Sequence, residues 1–557
     1  MTLFDRILAA RGLSPAEQAL FVSPDYEKSC DPFLLPDMSE AVDRLVAAHK
    51  AGEKIAIYGD YDIDGLTATT LLLDALERFG FQDVAPFIPN RFTEGYGLTI
   101  DAVERIIADG AELIVTVDCG SLSHKEIARA AELGVDVIVT DHHNVAPEQP
   151  SAVAVVNPKR LLQDNPSDYK ELILSSDRTD LYPFLDLPGV GVAFKLVQAL
   201  QTRLEGIPKG QEKWYLDLVA LGTVCDVVTL LDENRTHVYW GLKVLAKTQR
   251  PGLRALMAVS GVEPQKVNAG SLGFALGPRM NAAGRLETAL IALNLLTSKG
   301  GEEAMKYARL LDDMNKTRRQ EQADILKAAI VQAEKYADDK VLVVSAPGWN
   351  HGIVGIVAAK LLERFKKPTF VIEEGENEAK GSARSYGDFS VADAIRAADD
   401  IIIKGGGHRL AAGVTLPVAN IDMFRRRVNE YYASQKLENQ EDLLLPRADV
   451  DARFDELEES VVLQIASLEP FGKGNPQPIL RTENVTAIDV RRMGDKGQHV
   501  KILFRDENGV TLSLLAFSAP ENFFLEIGQA VTVWYSPDIN EWQGRRAVEG
   551  RLVHLET

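Results

Sequence analysis

The chain has 557 residues, of which 46% are hydrophobic and 25% are charged, and its formal net charge is −20. This length favours two to four domains, and the composition is typical of a globular protein. The acidic balance argues against broad binding to polyanions but is compatible with a local basic groove. No apolar run approaches about 18 residues, no signal peptide is evident, and three scattered cysteines do not suggest disulfides. We therefore expect a cytoplasmic protein that does not interact with membranes.

The first half of the chain begins with helices and continues as an α/β domain. Residues 1–50 have a helical pattern that ends in SEAVDRLVAAHKAG, which Gly52 is expected to terminate. Within 51–300 the apolar runs KIAIYG, ELIVTV, VDVIVT and SAVAVV alternate with helix-like segments such as TATTLLLDALERFG. This alternation predicts βαβ units and a parallel sheet. The pattern becomes mostly helical from about residue 189 and ends in a long charged connecting helix at 301–338.

The second half of the chain repeats the α/β pattern and then becomes rich in strands. KVLVVSA, IVGIVAAKLLERF and PTFVIEE predict a smaller α/β domain at 339–433. The polar, acidic passage 434–449 is interpreted as a linker. Five alternating segments, from VTAIDVRRM to RRAVEGRLVHL, then predict a small β-barrel at 450–557, with an oligonucleotide-binding barrel as one candidate.

Carboxylates and histidines follow several of the predicted segments, and in parallel sheets the carboxyl ends of the strands are where ligands bind. Carboxylates gathered at one edge would raise one another's pKa unless a cation held them. Aspartate oxygens with one or two imidazoles suit Mg²⁺ or Mn²⁺, and two ions that share a carboxylate would activate a water and stabilise the leaving oxygen of a phosphoester. The residues concerned are Asp60, Asp62, Asp64, Asp118, His142, His143 and Asp226.

Each of these residues also has a structural interpretation. An aspartate after a strand is most often a turn or a helix cap, and Asp64-Gly65 could form a turn before a helix capped at Thr67. His142 alone would more often be a structural histidine. The occurrence of four clusters at the ends of apolar segments favours a dinuclear metal site over these alternatives.

The same residues carry a resemblance to a known family. GDYDIDG, TVDCGS, TDHH and GTVCDVV resemble the four ordered motifs of the DHH phosphoesterase superfamily. GGGHRLAAG (405–413) resembles the glycine-histidine motif of the associated DHHA1 domain. GPRMNAAGRLE (277–287), GWNHGIVGIVA (348–358) and the C-terminal barrel resemble the RecJ-type single-strand-specific exonucleases.

The resemblance implies a 5′→3′ exonuclease that degrades single-stranded DNA to nucleotides in DNA repair and recombination, using two divalent ions, Mn²⁺ or Mg²⁺. It implies a parallel-sheet DHH domain at 51–300, a connecting helix at 301–338, a DHHA1 domain at 339–433 and an OB-like β-barrel at 450–557. Because such enzymes typically work with helicases and single-strand-binding protein, both are expected partners besides single-stranded DNA. The enzyme is expected to be a monomer.

The resemblance also assigns roles to individual residues. Asp118 is the expected bridging ligand, and it forms the catalytic group with His142 and His143, of which His143 would contact the scissile phosphate. Asp60 is a further candidate ligand, because pyrophosphatase relatives have a histidine where this chain has Tyr58. The residues that match the family's metal ligands are Asp62, Asp64, Asp118, His142 and Asp226.

A second set of residues is predicted to bind the substrate. Glycine-rich loops let backbone N–H groups surround an anion, although glycine runs are more often flexible turns. Arg285 could instead simply neighbour Glu287 on an exposed helix. The predicted substrate-binding residues are His143, Arg279, Asn281, Arg285, His351, Arg384, Ser385, Gly406, Gly407, His408 and Trp542.

Aromatic residues of the predicted barrel could fill its core or stack on bases. We expect Phe504 and Phe517 to lie in the core. Trp542 is the better candidate for base stacking, because it stands in a turn-like segment beside Arg545 and Arg546.

Two alternative functions compete with the exonuclease. A DHH-family phosphodiesterase of short oligonucleotides or cyclic dinucleotides would share the first two domains but would not need segment 277–287 or the barrel. A non-catalytic replication scaffold on the same fold would have lost metal ligands, and here the only departure is at Tyr58.

Overall fold

The computed structural model describes residues 1–91, 93–164, 181–435, 437, 441–542 and 544–557. The chain forms two compact units. The first contains residues 1–314 and 459–478, and the second contains residues 315–458 and 479–557. Residues 459–478, which the sequence analysis placed in the C-terminal domain, therefore group with the first unit.

The first unit contains a five-stranded sheet in which every pairing is parallel, in the order β2-β1-β3-β4-β5. The predicted parallel sheet is thus confirmed. β1 and β3 are buried along their whole length, which explains their continuous apolar sequences. The strands are β1 (Ile55–Gly59), β2 (Val84–Phe87), β3 (Leu113–Val117), β4 (Asp136–Thr140) and β5 (Ala154–Val156).

β2 is absent from the sequence-based prediction. It lies at the edge of the sheet, none of its four residues is fully buried, and it contains Pro86. An edge strand that is half exposed and contains proline has a weak apolar signal.

Helices make up most of the rest of the first unit. The predicted helix before β1 ends at Gly52, whose φ of +71° suits glycine. A π-helical turn spans Leu272–Leu276. The helices are α1 (Leu3–Ala10), α2 (Pro15–Val22), α3 (Met38–Ala51), α4 (Ile63–Phe79), α5 (Ile100–Ala108), α6 (His124–Glu132), α7 (Arg160–Asp164), α8 (Gly189–Leu200), α9 (Leu216–Cys225), α10 (Asp232–Leu245), α11 (Pro251–Ser260), α12 (Ala269–Ser271), α13 (Gly277–Leu286) and α14 (Leu290–Thr297).

The long helix α15 (Gly301–Lys335) begins in the first unit and ends in the second. The second unit then forms a mixed sheet in the order β6-β7-β8-β10-β9, in which only β6 and β7 are parallel. Its elements are β6 (Leu342–Pro347), α16 (His351–Phe365), β7 (Thr369–Glu374), β8 (Glu378–Arg384), α17 (Val391–Arg396), β9 (Lys404–His408), β10 (Ala411–Pro417) and α18 (Ile421–Ser434).

Part of the predicted linker, residues 436 and 438–440, lies outside the described residues. Helix α19 (Glu459–Ala466) follows it and belongs to the first unit. None of the helices in the described ranges has the length and apolarity needed to cross a membrane.

The C-terminal strands form a six-stranded mixed sheet in the order β11-β12-β13-β14-β16-β15, in which β12 also pairs with β15. All five predicted strands are present, which supports the predicted OB-like domain. Phe504 is buried as predicted, but Phe517 is 63% exposed, because it lies just beyond the end of β14. The strands are β11 (Val450–Asp451), β12 (Leu480–Met493), β13 (His499–Arg505), β14 (Thr511–Ala516), β15 (Ala530–Trp542) and β16 (Arg545–Glu556).

Candidate metal centre

Three of the predicted ligands lie where β1 passes into α4. Asp60 follows β1 directly, and Asp62 caps α4 by accepting the N–H groups of Asp64 and Gly65 at 2.9 and 3.2 Å. A β-carbon on Gly65 would lie 2.5 Å from the Asp60 carbonyl oxygen. Glycine is therefore required for α4 to start this close to the strand. The three carboxylates of Asp60, Asp62 and Asp64 lie at this junction.

The Asp64 carboxylate is fixed by the start of α8. Its Oδ2 and Oδ1 accept the backbone N–H groups of Gly189 and Val190 at 2.6 and 2.8 Å. The positive end of a helix dipole stabilises a carboxylate at this position. This contact joins residues 125 positions apart in the chain, and the sequence analysis did not predict it.

The backbone is strained at one predicted ligand, Asp118, and directly after another, Asp226. Asp118, which follows β3, has a φ of +61°, and Val227, which follows Asp226 at the end of α9, has a φ of +60°. A left-handed conformation is unfavourable for a non-glycine residue and especially for a β-branched one. Such outliers cluster at functional sites, where the surrounding structure maintains them.

The side chains of these residues form three overlapping groups of ligand atoms, and within each group all atoms lie within 4.8 Å of one another. The Nε2 atom of His142 lies 3.1 Å from Asp118 Oδ1, 3.7 Å from Asp226 Oδ2 and 3.8 Å from Asp64 Oδ2. Asp118 and His142 each belong to two groups, as expected of residues between two ions. The groups are Asp118–His142–His143, Asp64–His142–Asp226 and Asp60–Asp62–Asp118.

The chemistry of this centre fits divalent cations. Asp60 Oδ1, Asp118 Oδ1 and His142 Nε2 are buried and form no hydrogen bond within the described part of the chain, because the 3.1 Å approach of the last two lacks hydrogen-bond geometry. Burying a polar atom without a partner costs about 1–3 kcal/mol. A cation at the centre would coordinate these lone pairs, and oxygen ligands with imidazole suit Mn²⁺ or Mg²⁺.

The carboxylates also have abnormal proton affinities. Burial, followed by the charge of Asp62, raises the pKa of Asp60 to about 8 and that of Asp226 to about 7. Burial and neighbouring carboxylates raise the pKa values of Asp64 and Asp118 well above the usual range. These carboxylates repel one another, and bound cations would relieve that repulsion.

The two histidines have different electrostatic environments. Burial, followed by the charge of His143, lowers the pKa of His142 to about 3, so His142 stays neutral and able to bind metal. Burial also lowers the pKa of His143, but its hydrogen bond to Asp141 and the charges of Asp141 and Asp226 together outweigh this effect, and the net pKa is raised. The raised pKa favours the cationic form of His143, and its side chain is 42% exposed, so the ring is accessible to a phosphate.

Asp141 organises the histidine pair and lies outside the three ligand groups. Its carboxylate accepts the N–H groups of Ser121, His142 and His143 at 3.0, 2.7 and 3.1 Å. The Nδ1 atom of His143 lies 2.8 Å from Asp141 Oδ1 and 2.9 Å from the hydroxyl oxygen of Tyr96. Burial raises the pKa of Asp141, but these hydrogen bonds and the neighbouring histidines hold it below its usual value.

Tyr58 occupies the position of the histidine found in pyrophosphatase relatives, and it contributes no ligand atom to the three groups. Its ring is buried against Phe87, with centroids 5.3 Å apart, and its hydroxyl donates to the carbonyl of Gly97 at 2.7 Å. Asp60, by contrast, lies in one group with Asp62 and Asp118. This arrangement supports Asp60 as the replacement ligand.

Besides His143, the predicted substrate-binding residues of the first unit lie on α13. Arg279 is engaged within the unit, since its guanidinium donates to Asp312 Oδ1 and to the Ala275 carbonyl, each at 2.8 Å. Asn281 and Arg285 are half-buried. The charge of Arg285 acts on the Tyr61 phenol beside the ligands, so α13 adjoins the metal centre.

The remaining predicted residues belong to the second unit. Ser385 is tied to its own loop, since its hydroxyl donates to the Phe389 carbonyl at 2.8 Å. Gly406 and Gly407 lie on β9, which is exposed throughout. For Trp542 the structure describes only the backbone, which pairs with that of Arg545.

Arg384, His351 and His408 lie near one end of the sheet of the second unit. Arg384 pairs with Ala411 of β10, which in turn pairs with His408 of β9. A β-carbon on Gly355, one helical turn after His351, would lie 3.2 Å from the Arg384 guanidinium. This end of the sheet therefore brings the start of α16, Arg384 and the glycine-rich strand close together.

Comparison with known proteins identifies the family. The DHH family N-terminal domain matches residues 54–223, the DHHA1 domain matches 338–434 and the RecJ OB domain matches 448–554. The RecJ single-stranded-DNA-specific exonuclease of Salmonella typhimurium is 34% identical over 581 residues, which cover 98% of this chain and 94% of that protein. The chain belongs to the RecJ family.

Other RecJ proteins are similarly related to this chain. RecJ of Bacillus subtilis is 38% identical over 545 residues, which span 97% of this chain and 66% of that longer protein. The crystal structure of RecJ from Thermus thermophilus in complex with Mn²⁺ matches with a TM-score of 0.78 at 31% identity. That match covers 100% of this chain and 78% of the other. The predicted DHH, DHHA1 and OB domains and the prediction of an exonuclease are thereby confirmed, and the C-terminal strands form a mixed sheet.

Some residues near the metal centre of this RecJ-family chain were missed by the sequence analysis. The Arg91 guanidinium lies 5.3 Å from the Tyr61 ring centroid, and its charge acts on Asp60. The hydroxyl of Tyr96 donates to the Asp118 carbonyl at 3.2 Å. Both residues lie in the loop after β2, and because that strand was not predicted, no strand-end position drew attention to them.

Proposed function

We propose that this chain is a metal-dependent exonuclease that degrades single-stranded DNA from the 5′ end to nucleotides, in DNA repair and recombination. The names of its relatives, which are single-stranded-DNA-specific exonucleases, support single-stranded DNA as the substrate. The observation that carries the proposal is the sharing of Asp118 between two groups of ligand atoms, because a bridging carboxylate is the core of a dinuclear phosphodiesterase site.

Each residue of the centre has a role in this proposal. Asp60, Asp62 and Asp118 would hold one divalent ion, and Asp64, His142 and Asp226 would hold the other, with Asp118 as the bridge. When bound, Mn²⁺ or Mg²⁺ supplies the Lewis acidity that activates a water and stabilises the leaving oxygen.

Protein groups around the centre orient the ligands and the substrate. Gly189 and Val190 fix Asp64, and Asp141 orients the His143 imidazolium towards a phosphate oxygen. Considered by itself, the second unit would offer the Arg384 guanidinium and backbone N–H groups of the exposed strand β9 to a phosphate.

End-labelled digestion tests this function. A 5′-phosphorylated single strand labelled at its 5′ end should release labelled mononucleotide at once in Mn²⁺ or Mg²⁺, whereas a 3′ label should be released last. A blunt duplex should resist digestion, and a chelator should stop it. Immediate release of the 3′ label, or equal digestion of the duplex, would contradict the proposal.

The alternative of a phosphodiesterase for short oligonucleotides or cyclic dinucleotides is decided by length dependence. We expect kcat/KM to be higher for long 5′-phosphorylated strands than for dinucleotides. The reverse preference would favour the alternative. We further propose that the enzyme is monomeric and works with single-strand-binding protein and a helicase, which size-exclusion chromatography and co-purification with these proteins would test.

A further inference from the structure

The segment that follows α19 belongs to the first unit up to residue 478, and it contains the turn FGKGNP at 471–476. The N–H of Gly472 donates to the Asn475 carbonyl at 2.9 Å and the N–H of Asn475 donates to the Gly472 carbonyl at 3.1 Å. These reciprocal bonds close a tight turn with Lys473 and Gly474 at its tip, where Gly474 has a φ of +78°.

The turn is firmly attached to the unit that contains the metal centre. The Leu230 N–H, four residues after Asp226, donates to the Lys473 carbonyl at 2.7 Å. A β-carbon on Gly472 would lie 2.7 Å from a methyl carbon of Leu230, so the turn packs closely against the Leu230 side chain. The turn therefore has a fixed position relative to Asp226.

Buried side chains anchor the other side of the turn. The amide of Asn475 is 1% exposed and donates to the carbonyls of Leu468 and Pro470, each at 2.8 Å. The buried guanidinium of Arg235 donates to the carbonyls of Glu469 and Pro470 at 2.9 and 3.3 Å. These hydrogen bonds leave little freedom to the backbone that carries Lys473.

Lys473 itself is exposed and forms no ion pair within the described residues. Burial and the charge of Asp62 raise the pKa of Asp226, whereas the charges of His143, Lys473 and Lys159 oppose that rise. The Lys473 carbonyl is hydrogen-bonded to Leu230, four residues after the predicted ligand Asp226, and the Lys473 charge acts on the Asp226 carboxylate. Lys159 does so from the loop after β5, where Asn157 Oδ1 accepts its N–H at 2.9 Å.

The charge at the metal centre explains why a cation is needed there. The five aspartates of the ligand groups contribute −5 and two divalent ions would contribute +4, while His143 is paired with the carboxylate of Asp141. This leaves −1 before a phosphate enters. A DNA phosphate adds a further negative charge, so its approach is opposed unless nearby cations compensate. A lysine on a fixed turn, without a carboxylate partner of its own, can supply this charge.

We propose that Lys473 binds a phosphate oxygen of the DNA strand at the metal centre, on the side of Asp226. Lys159 supplies a second positive charge beside the same carboxylate. This inference rests on the proposed function. It adds the turn at 472–475, which precedes the C-terminal strands in the chain, to the active site. The turn at 472–475 thereby carries a substrate-binding residue as well as joining two domains.

Kinetics on a 5′-phosphorylated oligo(dT) test the proposal with Lys473→Ala, Lys473→Arg and the control Lys209→Ala. Lys209 is exposed in the same unit and its charge acts on Glu27. We expect Lys473→Ala to lower kcat/KM about tenfold or more and Lys473→Arg to restore most of it, since a charge-assisted hydrogen bond is lost and then replaced. The control should match the unmodified enzyme.

Salt dependence and product inhibition separate binding from a structural effect. Lys473→Ala should reduce the slope of log affinity against log salt by about 0.7, the loss of one phosphate contact to a single strand. Inhibition by dTMP should weaken, with an unchanged melting temperature. An unchanged slope and unchanged kcat/KM in Lys473→Ala would overturn the inference, while absence of digestion by the unmodified enzyme would overturn the proposed function instead.

Discussion

Gly189 lies against Asp118 so closely that a β-carbon on the glycine would stand 2.6 Å from Cβ of the aspartate. The same glycine donates its N–H to Asp64. One backbone position therefore contacts two predicted ligands that belong to different groups of ligand atoms. Gly189→Ala should therefore displace Asp118 and lower kcat about a hundredfold, as misplacement by roughly 1 Å does. The control is Gly300→Ala, because no atom lies within 4 Å of the position of its β-carbon. Equal activity of the two variants would contradict this role of Gly189.

Asp118→Asn should abolish cleavage while single-strand binding largely persists. Burial and neighbouring carboxylates raise the pKa of Asp118 well above its usual range, so metal-free folding at neutral pH requires this group to take up a proton. The asparagine variant does not have this cost and should have a higher melting temperature in chelator. Mn²⁺ stabilises the unmodified protein by about 2.7 kcal/mol at a hundredfold excess over Kd, and the variant should lose most of this effect. Thermal unfolding with and without Mn²⁺ measures both.

Asp83→Asn is the matched control for this substitution, because Asp83 is an exposed aspartate of the same unit. It should behave like the unmodified protein in both conditions. Retained turnover of Asp118→Asn in Mn²⁺ would show that Asp118 does not bridge the ions.

The sequence predicted the parallel sheet and the gathering of carboxylates because both depend on local patterns. β1 and β3 are continuous apolar runs, and the side chains that follow parallel strands must meet at one edge of the sheet. The Gly189 contact with Asp64 and the attachment of Lys473 beside Leu230 were not predictable in this way. They join residues far apart in the chain and depend on tertiary packing, which leaves no periodic signal.

Phe517 shows a related limit of the sequence pattern. Its apolar character and its place beside a strand predicted a core residue, whereas the strand ends one residue earlier and Ser518 turns the chain with a φ of +50°. Element ends are where patterns are least informative, because a shift of one residue reverses which face a side chain occupies.

Metal stabilisation should increase with pH. In the folded, metal-free state Asp226 and Asp60 have pKa values of about 7 and about 8 against an ordinary 3.8, so the folded state holds protons that the unfolded chain has released. The stability that these two carboxyl groups contribute to the metal-free folded state is therefore fully present below their ordinary pKa of 3.8. It is lost as pH rises through about 7 and about 8. Mn²⁺ replaces these protons, so the Mn²⁺-induced rise in melting temperature should grow between about pH 6.5 and about pH 8.5.

The control for this pH dependence is Asp226→Asn, which carries no titrating carboxyl at that position and should show a flatter dependence. Calorimetric titration of Mn²⁺ in two buffers of different ionisation enthalpy should show proton release that decreases as pH rises. A pH-independent shift in melting temperature would contradict the raised pKa values.

Asp60 and Tyr58 should respond differently to conservative substitution. Asp60→Asn removes a charged member of a ligand group, so it should weaken Mn²⁺ binding and lower the rate. Tyr58→Phe removes only the hydrogen bond to the Gly97 carbonyl, which should cost about 1 kcal/mol of unfolding free energy without changing Mn²⁺ affinity. Calorimetric Mn²⁺ titrations of both variants decide whether Asp60 or Tyr58 is the ligand. Weaker Mn²⁺ binding in Tyr58→Phe alone would show that Tyr58, not Asp60, binds the ion.

Among the side chains that the structure describes in the C-terminal domain, Phe517 is an exposed aromatic residue suited to a test of base stacking. It is 63% exposed and its ring packs edge-on against His499, with centroids 5.4 Å apart, and His499 Nδ1 accepts the Ser518 N–H at 2.8 Å. A ring held in this way can stack on a base at a low entropic cost, so Phe517→Ala should weaken binding of long single strands by about 1–3 kcal/mol. Ile527→Ala is the matched control, because Ile527 is 71% exposed and cannot stack. Fluorescence anisotropy with long and short oligo(dT) in chelator would measure both, and equal affinities of the two variants would place the stacking residues elsewhere.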